Sequence, residues 1–236
     1  MPARSENVSD LTATTIATTL SKNDTTSALV SAFSIDELTA LVKTGKRITL
    51  HRNDVVFAED EDAESLFIVL DGRVGIATQR HDDREAILAL MEPGDVFGEM
   101  SLLDGQPRAA TARALEASIC ISVPYAPVRS LFSSHPEALA AVVRMLAARL
   151  RVADEQIADA AFLDVTGRTA KRLLEISRSR DEFSLPVTQE ELAAMVGASR
   201  ERVNKALAAF IRLGWISVHE RTYTIKQRDS LALRAR

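Results

Sequence analysis

Residues 188–214 read TQEELAAMVGASRERVNKALAAFIRLG, and this stretch decides the fold of the C-terminal third. Thr188 followed three residues later by Glu191 is a capping box: the hydroxyl accepts the Glu191 amide and the carboxylate reaches back. Leu192, Met195 and Val196 give the short helix that follows one apolar face. Gly197-Ala198-Ser199 is a tight turn, with Ser199 placed to cap a second helix. There Val203, Leu207 and Phe210 share a face at i, i+4 and i+7, while Arg200, Glu201, Asn204 and Lys205 fall opposite. Gly214 closes that helix. Two helices joined by such a turn form a helix-turn-helix, whose second helix presents its N-terminal side chains to base edges in the major groove. Arginine can hold guanine O6 and N7 with two bonds, and glutamate can accept from the cytosine amino group. Trp215–Val218 and Thr222–Ile225 flank the polar turn His219–Arg221 and read as a β-hairpin wing, with Arg221 facing phosphate. An ordinary helical hairpin with a solvated charged face is the competing reading.

The charge distribution points the same way. Residues 1–166 hold 15 Lys and Arg against 25 Asp and Glu, whereas residues 167–236 hold 14 against 8. A basic C-terminal third on an acidic body suggests a second domain facing a polyanion. Upstream, Pro136 opens a long helix. Val143, Leu146, Leu150, Ala153, Ile157 and Ala160 recur at 3,4 spacing, bordered by Arg144, Arg149, Arg151, Asp154, Glu155 and Asp159. So narrow an apolar stripe suits a two-helix seam better than a broad core face. The seam stops at Phe162-Leu163-Asp164-Val165-Thr166-Gly167-Arg168, where Gly167 suits a hinge. A helix over Thr169–Arg178 and a polar stretch Ser179–Ser184 lead into the helix-turn-helix.

Ahead of the long helix the texture is β. Leu66–Leu70, Arg73–Thr78, Ala86–Leu90, Ala109–Ala114 and Ser118–Val123 are short strand-like runs separated by turn signals. Asp71-Gly72 marks a hairpin and Pro93-Gly94-Asp95 a turn. Such spacing argues a small antiparallel barrel or roll. A short helix from the Ser34 cap to Gly45 precedes it, and residues 1–28, rich in Thr, Ser and Ala, read as a flexible arm. Within the roll, Gly94-Asp95-Val96-Phe97-Gly98-Glu99-Met100-Ser101 is followed by Pro107-Arg108-Ala109. A phosphate site needs backbone N–H donors, a close-approach glycine and a fixed cation, and this loop holds all three. Glu99 beside them can accept a ribose hydroxyl. A structural Glu99–Arg108 ion pair in a loop is an equal alternative.

Taken together, residues 48–225 resemble the CRP/FNR family of bacterial transcription regulators, within it the cAMP-receptor-protein branch. The motifs are Gly94-Asp95-x-x-Gly98-Glu99 with Arg108, the Phe162–Arg168 segment, and Gly197-Ala198-Ser199-Arg200-Glu201, in the family order. The resemblance implies an α+β chain. Residues 29–135 would form a cyclic-nucleotide-binding, jelly-roll-like β-roll, 136–163 a dimerisation helix and 164–236 a winged helix-turn-helix. Gly98, Glu99 and Arg108 match the phosphate-binding cassette, with Met100, Ser101 and Ala109 adjoining. Ala109 stands where cAMP binders of the family usually place a hydroxyl residue. Ala153 and Asp154 stand where hydroxyls meet adenine, and Asp154 suits a guanine edge, so cGMP and cyclic di-GMP join cAMP as candidate ligands. Arg200 and Glu201 match the base-reading pair, and Lys205 replaces the common arginine. The resemblance implies a cytoplasmic homodimer on double-stranded DNA, at an inverted repeat like TGTGA-N6-TCACA. RNA polymerase would be a further partner. Ligand would turn the DNA-binding domain about Asp164–Arg168; a ligand-independent member is the rival.

Other classes are disfavoured. The single cysteine, Cys120, cannot support a disulfide framework or an iron–sulfur cluster. His51, His81, His135 and His219 are scattered, which argues against haem and metal sites. No GxSxG, HExxH or P-loop suggests an enzyme. No apolar run approaches a membrane span, and the N-terminus lacks a signal-peptide pattern.

Overall fold

The structure, a computed structural model, describes residues 4–7, 18, 33–79, 85–220 and 222–236. The chain divides into two compact units, residues 1–78 with 88–151, and residues 79–87 with 152–236.

In the first unit, helix α1 (Ile35–Lys43) starts at the expected capping box: Ser34 Oγ accepts the Glu37 amide at 3.3 Å and Glu37 takes the Ser34 amide at 2.9 Å. Two sheets follow. One runs β1 (Arg4–Asn7), β2 (Lys46–Leu50), β9 (Ser118–Pro124), β4 (Ser65–Asp71), β7 (Val96–Phe97); the other runs β3 (Val55–Phe57), β8 (Thr111–Ala114), β5 (Val74–Gln79), β6 (Glu85–Met91). The expected strands are present and four short ones, β1, β2, β3 and β7, were not anticipated. β3 and β7 carry too few residues for alternation to be legible, and β2 mixes exposed and half-buried positions. Asp71-Gly72 is not a hairpin within one sheet, because β4 and β5 lie in different sheets. Gly72 turns that corner at φ +77°, and a Cβ there would stand 2.4 Å from Ala117 O. Part of the segment expected to be a flexible arm, Arg4–Asn7, pairs antiparallel with β2.

The core between the sheets is aromatic. Phe57, Phe67 and Phe97 pack with centroids 5.2–6.0 Å apart, beside Leu50, Val69 and Val74. Each such side chain contributes about 1.5–3 kcal/mol by leaving water. Helix α2 (Met100–Asp104) lies in the loop before β8, and α3 (Tyr125–Ser134) follows β9.

Helix α4 runs unbroken over Glu137–Phe162 behind Pro136. Ala138, Ala141, Val142 and Met145 are buried. The seam positions Val143, Leu146, Leu150 and Ile157 are instead 64%, 36%, 62% and 68% exposed. The helix therefore has two apolar faces, one used within the protomer and one bare.

In the second unit α4 breaks at Leu163–Asp164, and α5 (Val165–Ser177) begins with Asp164 as N-cap, its carboxylate accepting the Gly167 amide at 2.8 Å. Thr166, Gly167 and Arg168 are thus inside a helix, so the break is narrower than the expected hinge. Gly167 is buried against helix α8 (Arg228–Arg234): a Cβ would stand 3.0 Å from both Arg234 Nη1 and Arg234 O. The polar stretch Ser179–Ser184 contains a strand, β10 (Glu182–Ser184), because Phe183 is buried and stacks on Tyr223. It joins β12 (Thr222–Ile225) and β11 (Ile216–His219) in a three-stranded sheet ordered β10-β12-β11. Among the described residues no helix is long and apolar enough to cross a membrane.

Candidate nucleotide pocket and nucleic-acid interface

The Pro93-Gly94-Asp95 turn feeds β7, and the chain bends at Gly98, φ +76°, into α2. A Cβ on Gly98 would meet Arg108 Nη1 at 2.7 Å, so glycine is demanded by conformation and by close approach. Arg108 returns from the loop after α2 and is 4% exposed. Its Nη1 donates to Gly98 O at 2.8 Å and to the Tyr125 hydroxyl at 3.0 Å, and Nη2 donates to Ser65 O at 2.7 Å. The guanidinium lies 4.0 Å from the Phe57 ring centroid and 5.6 Å from that of Phe67. Tyr125 in turn donates to Gly98 O. Burial pushes the Tyr125 phenol up, opposed by the charge of Arg108.

Every hydrogen-bonding partner of Arg108 is neutral, and its buried Nε has no partner. Desolvating a cation without a carboxylate is costly, and a buried unmet donor adds to the cost. An anion reaching this guanidinium would gain a charge-assisted bond and relieve both. The cluster is therefore electrostatically suited to an anion.

Glu99, also 4% exposed, does not pair with Arg108 as the loop alternative required. It accepts from Arg149 Nη1 of α4, while Arg149 Nη2 donates to Val96 O. Ser101 is buried and its hydroxyl donates to Pro107 O at 3.3 Å; Met100 and Ala109 are exposed. The roll thus gathers Gly98, Glu99, Ser101 and Arg108. Ala153 and Asp154 sit exposed on α4, in the stretch belonging to the second unit. Sequence reading missed Tyr125, Arg149, Phe57 and Phe67 as pocket residues. Arg149 carried a signal: it continues the spacing of Ala138, Val142 and Met145, so a cation ends an apolar stripe.

The helix-turn-helix forms as expected. α6 (Gln189–Val196) is opened by the Thr188 capping box, with Thr188 Oγ1 accepting the Glu191 amide at 3.2 Å and Glu191 taking the Thr188 amide at 2.7 Å. Gly197 makes the turn at φ +67°, and Ser199 Oγ accepts the Arg202 amide at 3.4 Å at the start of α7 (Arg200–Arg212). Val203, Leu207 and Phe210 are buried; Thr188, Ser199, Arg200, Glu201 and Lys205 are exposed. Asn204 is half-buried and its Oδ1 lacks a partner. Lys205 Nζ donates to Glu201 Oε1 at 2.7 Å and holds that carboxyl below its usual range. Both side chains are about three-quarters exposed, so solvent screens the pair and it adds little to stability. Arg221 and His81 lie outside the described residues. Among the described residues no group of His, Cys, Asp and Glu is arranged to hold a metal.

Residues 47–135 match the cyclic nucleotide-binding domain family, and residues 167–234 match the Crp-like helix-turn-helix domain family. A CRP-like cAMP-activated global transcriptional regulator of Mycobacterium tuberculosis is 39% identical over 206 residues, covering 84% of this chain and 92% of that protein. The cAMP-activated global transcriptional regulator CRP of Salmonella typhimurium is 33% identical over 71% of this chain and 83% of that one. Among solved structures, the c-di-GMP responsive global regulator CLP of Xanthomonas campestris superposes with a TM-score of 0.71 at 25% identity, covering 81% of this chain and 99% of that one. FixK2 of Bradyrhizobium japonicum shares the fold, with a TM-score of 0.75 at 22% identity over 81% of this chain and 98% of that one. With a roll enclosing a buried arginine among neutral partners, followed by a capped helix-turn-helix and a wing, the chain belongs to the CRP/FNR family of bacterial transcription regulators.

Proposed function

We propose that this regulator is a homodimer whose roll binds a cyclic nucleotide, cAMP or cGMP, which strengthens binding of the helix-turn-helix to an inverted-repeat operator. One observation carries the reading: Arg108 is a buried guanidinium with only neutral partners and an unpartnered Nε, beside a glycine that admits no side chain. Arg108 would hold the cyclic phosphate, with Gly98, Met100, Ser101 and Ala109 around it. Glu99 would accept the ribose hydroxyl in place of Arg149. Ala153 and Asp154 are the candidates for base preference. The bare face of α4 supports pairing of two protomers along Val143–Ala160. Two recognition helices related by a two-fold axis read half-sites one helical turn apart, ~34 Å or 10–10.5 base pairs. We place Arg200 on a guanine, Glu201 on a cytosine and Lys205 on a third base of a TGTGA-like half-site. Thr188, Ser199, Asn204 and Arg221 would serve as further contacts, with RNA polymerase as a downstream partner in the cytoplasm.

Calorimetric titration with cAMP, cGMP and cyclic di-GMP, paired with operator anisotropy, tests this. Micromolar binding of a cyclic mononucleotide that tightens DNA binding is expected. Cyclic di-GMP as the sole ligand, or DNA binding indifferent to all three, would replace the reading with one of its rivals. The alanine at position 109 and a relative described as c-di-GMP responsive are what favour the former rival.

A further inference from the structure

Helix α5 is linked to α4 by only two non-helical residues, Leu163 and Asp164. Their backbone has four soft dihedrals, so α5 needs side-chain ties to hold its direction. On one side Arg168 and Arg172 grip the end of α6: Arg168 Nε donates to Val196 O at 2.9 Å and Arg172 Nη2 to Met195 O at 3.2 Å. Those carbonyls immediately precede the turn into the recognition helix, so the helix-turn-helix is carried by α5. On the other side Lys171 reaches back across the break. Its Nζ donates to Glu155 Oε1 at 2.6 Å and Asp159 Oδ1 at 2.8 Å, two carboxylates one turn apart on α4. The Lys171 and Asp159 side chains are 19% and 20% exposed, which sets that pair apart from a solvated surface pair, while Glu155 is 63% exposed. The carboxylates hold the ammonium above its usual range despite the burial that opposes it.

We propose that Lys171, clamped between Glu155 and Asp159, is the positioning residue that makes the helix-turn-helix follow the last turns of the long helix. Arg168 adds one contact across the break, to Leu163 O at 2.7 Å, but that carbonyl lies in the break itself and cannot fix the direction of α4. Lys171 alone of the three cations bonds side chains inside α4. The inference rests on the proposed ligand-strengthened DNA binding, to which it adds the element through which the ligand's effect must pass.

The test uses the full chain, with cAMP and cGMP as probes and operator anisotropy as readout. Lys171→Met keeps the stem and removes the charge. It is expected to shrink the ligand-induced gain in DNA affinity by about 10-fold or more, in the range of ordinary coupling between sites. Lys171→Glu combined with Asp159→Lys restores an ion pair of reversed sense and is expected to recover the gain to within about 3-fold. A gain unchanged in Lys171→Met overturns the clamp. Should that variant fail to fold, a charge-swapped chain that folds but has no gain overturns it instead. A wild type without any ligand-induced gain refutes the functional reading, and a second measurement then decides the clamp. Spin labels on the exposed positions Ala158→Cys and Glu190→Cys, diluted into unlabelled chain, report the spread of distances from α4 to α6. A broader distribution in Lys171→Met supports the clamp, and an unchanged width overturns it.

Discussion

Replacing Arg108 by methionine separates a ligand-binding cation from a structural one. Methionine fills similar volume and removes three donated bonds, to Gly98 O, Tyr125 Oη and Ser65 O. Gly98 O keeps the bond from Tyr125, so Ser65 O and the Tyr125 hydroxyl oxygen are the acceptors that lose the Arg108 donor. An orphaned buried acceptor costs about 1–3 kcal/mol. Against this, the variant no longer desolvates a guanidinium that no carboxylate balances, a cost of several kcal/mol in the wild type. The two offset, and the net change in stability is expected to be within about 2 kcal/mol. Nucleotide affinity should respond very differently. Two charge-assisted bonds to a phosphate, at roughly 1.5–3 kcal/mol each, amount to about 3–6 kcal/mol, or 10²–10⁴-fold in the dissociation constant. Calorimetry with cAMP and cGMP measures the second quantity and urea denaturation the first. A folded variant whose nucleotide affinity stays within about 3-fold of wild type would refute the receptor argument. A loss of stability beyond about 4 kcal/mol would show that the guanidinium is a structural post.

Leu150→Asp would place a carboxylate on the bare face of α4, where pairing of two protomers would bury it unpartnered at a cost of several kcal/mol; sedimentation should show a monomer at micromolar concentration, and a persistent dimer would relocate the interface. Arg200→Ala should cost about 1–3 kcal/mol per half-site and relax preference at one base pair, and Lys205→Ala less, because lysine lacks the bidentate fork; binding-site selection on both variants reads the difference. The Asp164 carboxyl is held below its usual 3.8 by the Gly167 amide and by Arg234, so the stability that its charge contributes is present above that value and is lost as pH falls through the lower folded value. Asp164→Asn should therefore differ from wild type in urea midpoint at pH 7, and the gap should narrow as pH falls below 3.8; a gap that stays constant would contradict the assignment. Burial pushes the Cys120 thiol up to about 12, so a thiol reagent should react at pH 8 only with the unfolded chain; rapid modification of the native protein would contradict its burial.

The helix-turn-helix was legible because its signals are local. A capping box, a turn glycine and a seven-residue apolar spacing are all set within 27 consecutive residues, and short-range hydrogen bonds and helix geometry are enough to specify them. The second apolar stripe of α4, left bare in the protomer, was legible for the same reason, its period being visible along one helix. The sequence also marked Gly98, Glu99 and Arg108 as a cluster, since one loop brings them within eleven residues. What that cluster binds internally was not legible. Tyr125, Arg149, Phe57 and Phe67 come from four separate elements, and only the closing of the two sheets together with the packing of α3 and α4 carries them to Arg108 and Glu99. The same limit produced the errors. Asp71-Gly72 has the residues of a hairpin, but which strand β4 pairs with is decided by β9 and β7 far along the chain. Gly167 suggested a hinge because glycine is flexible in isolation, yet α8 packs so close that its missing side chain serves contact instead. Local conformation follows from neighbouring residues, whereas partners across the fold follow from burial and long-range pairing, which no stretch of sequence contains by itself.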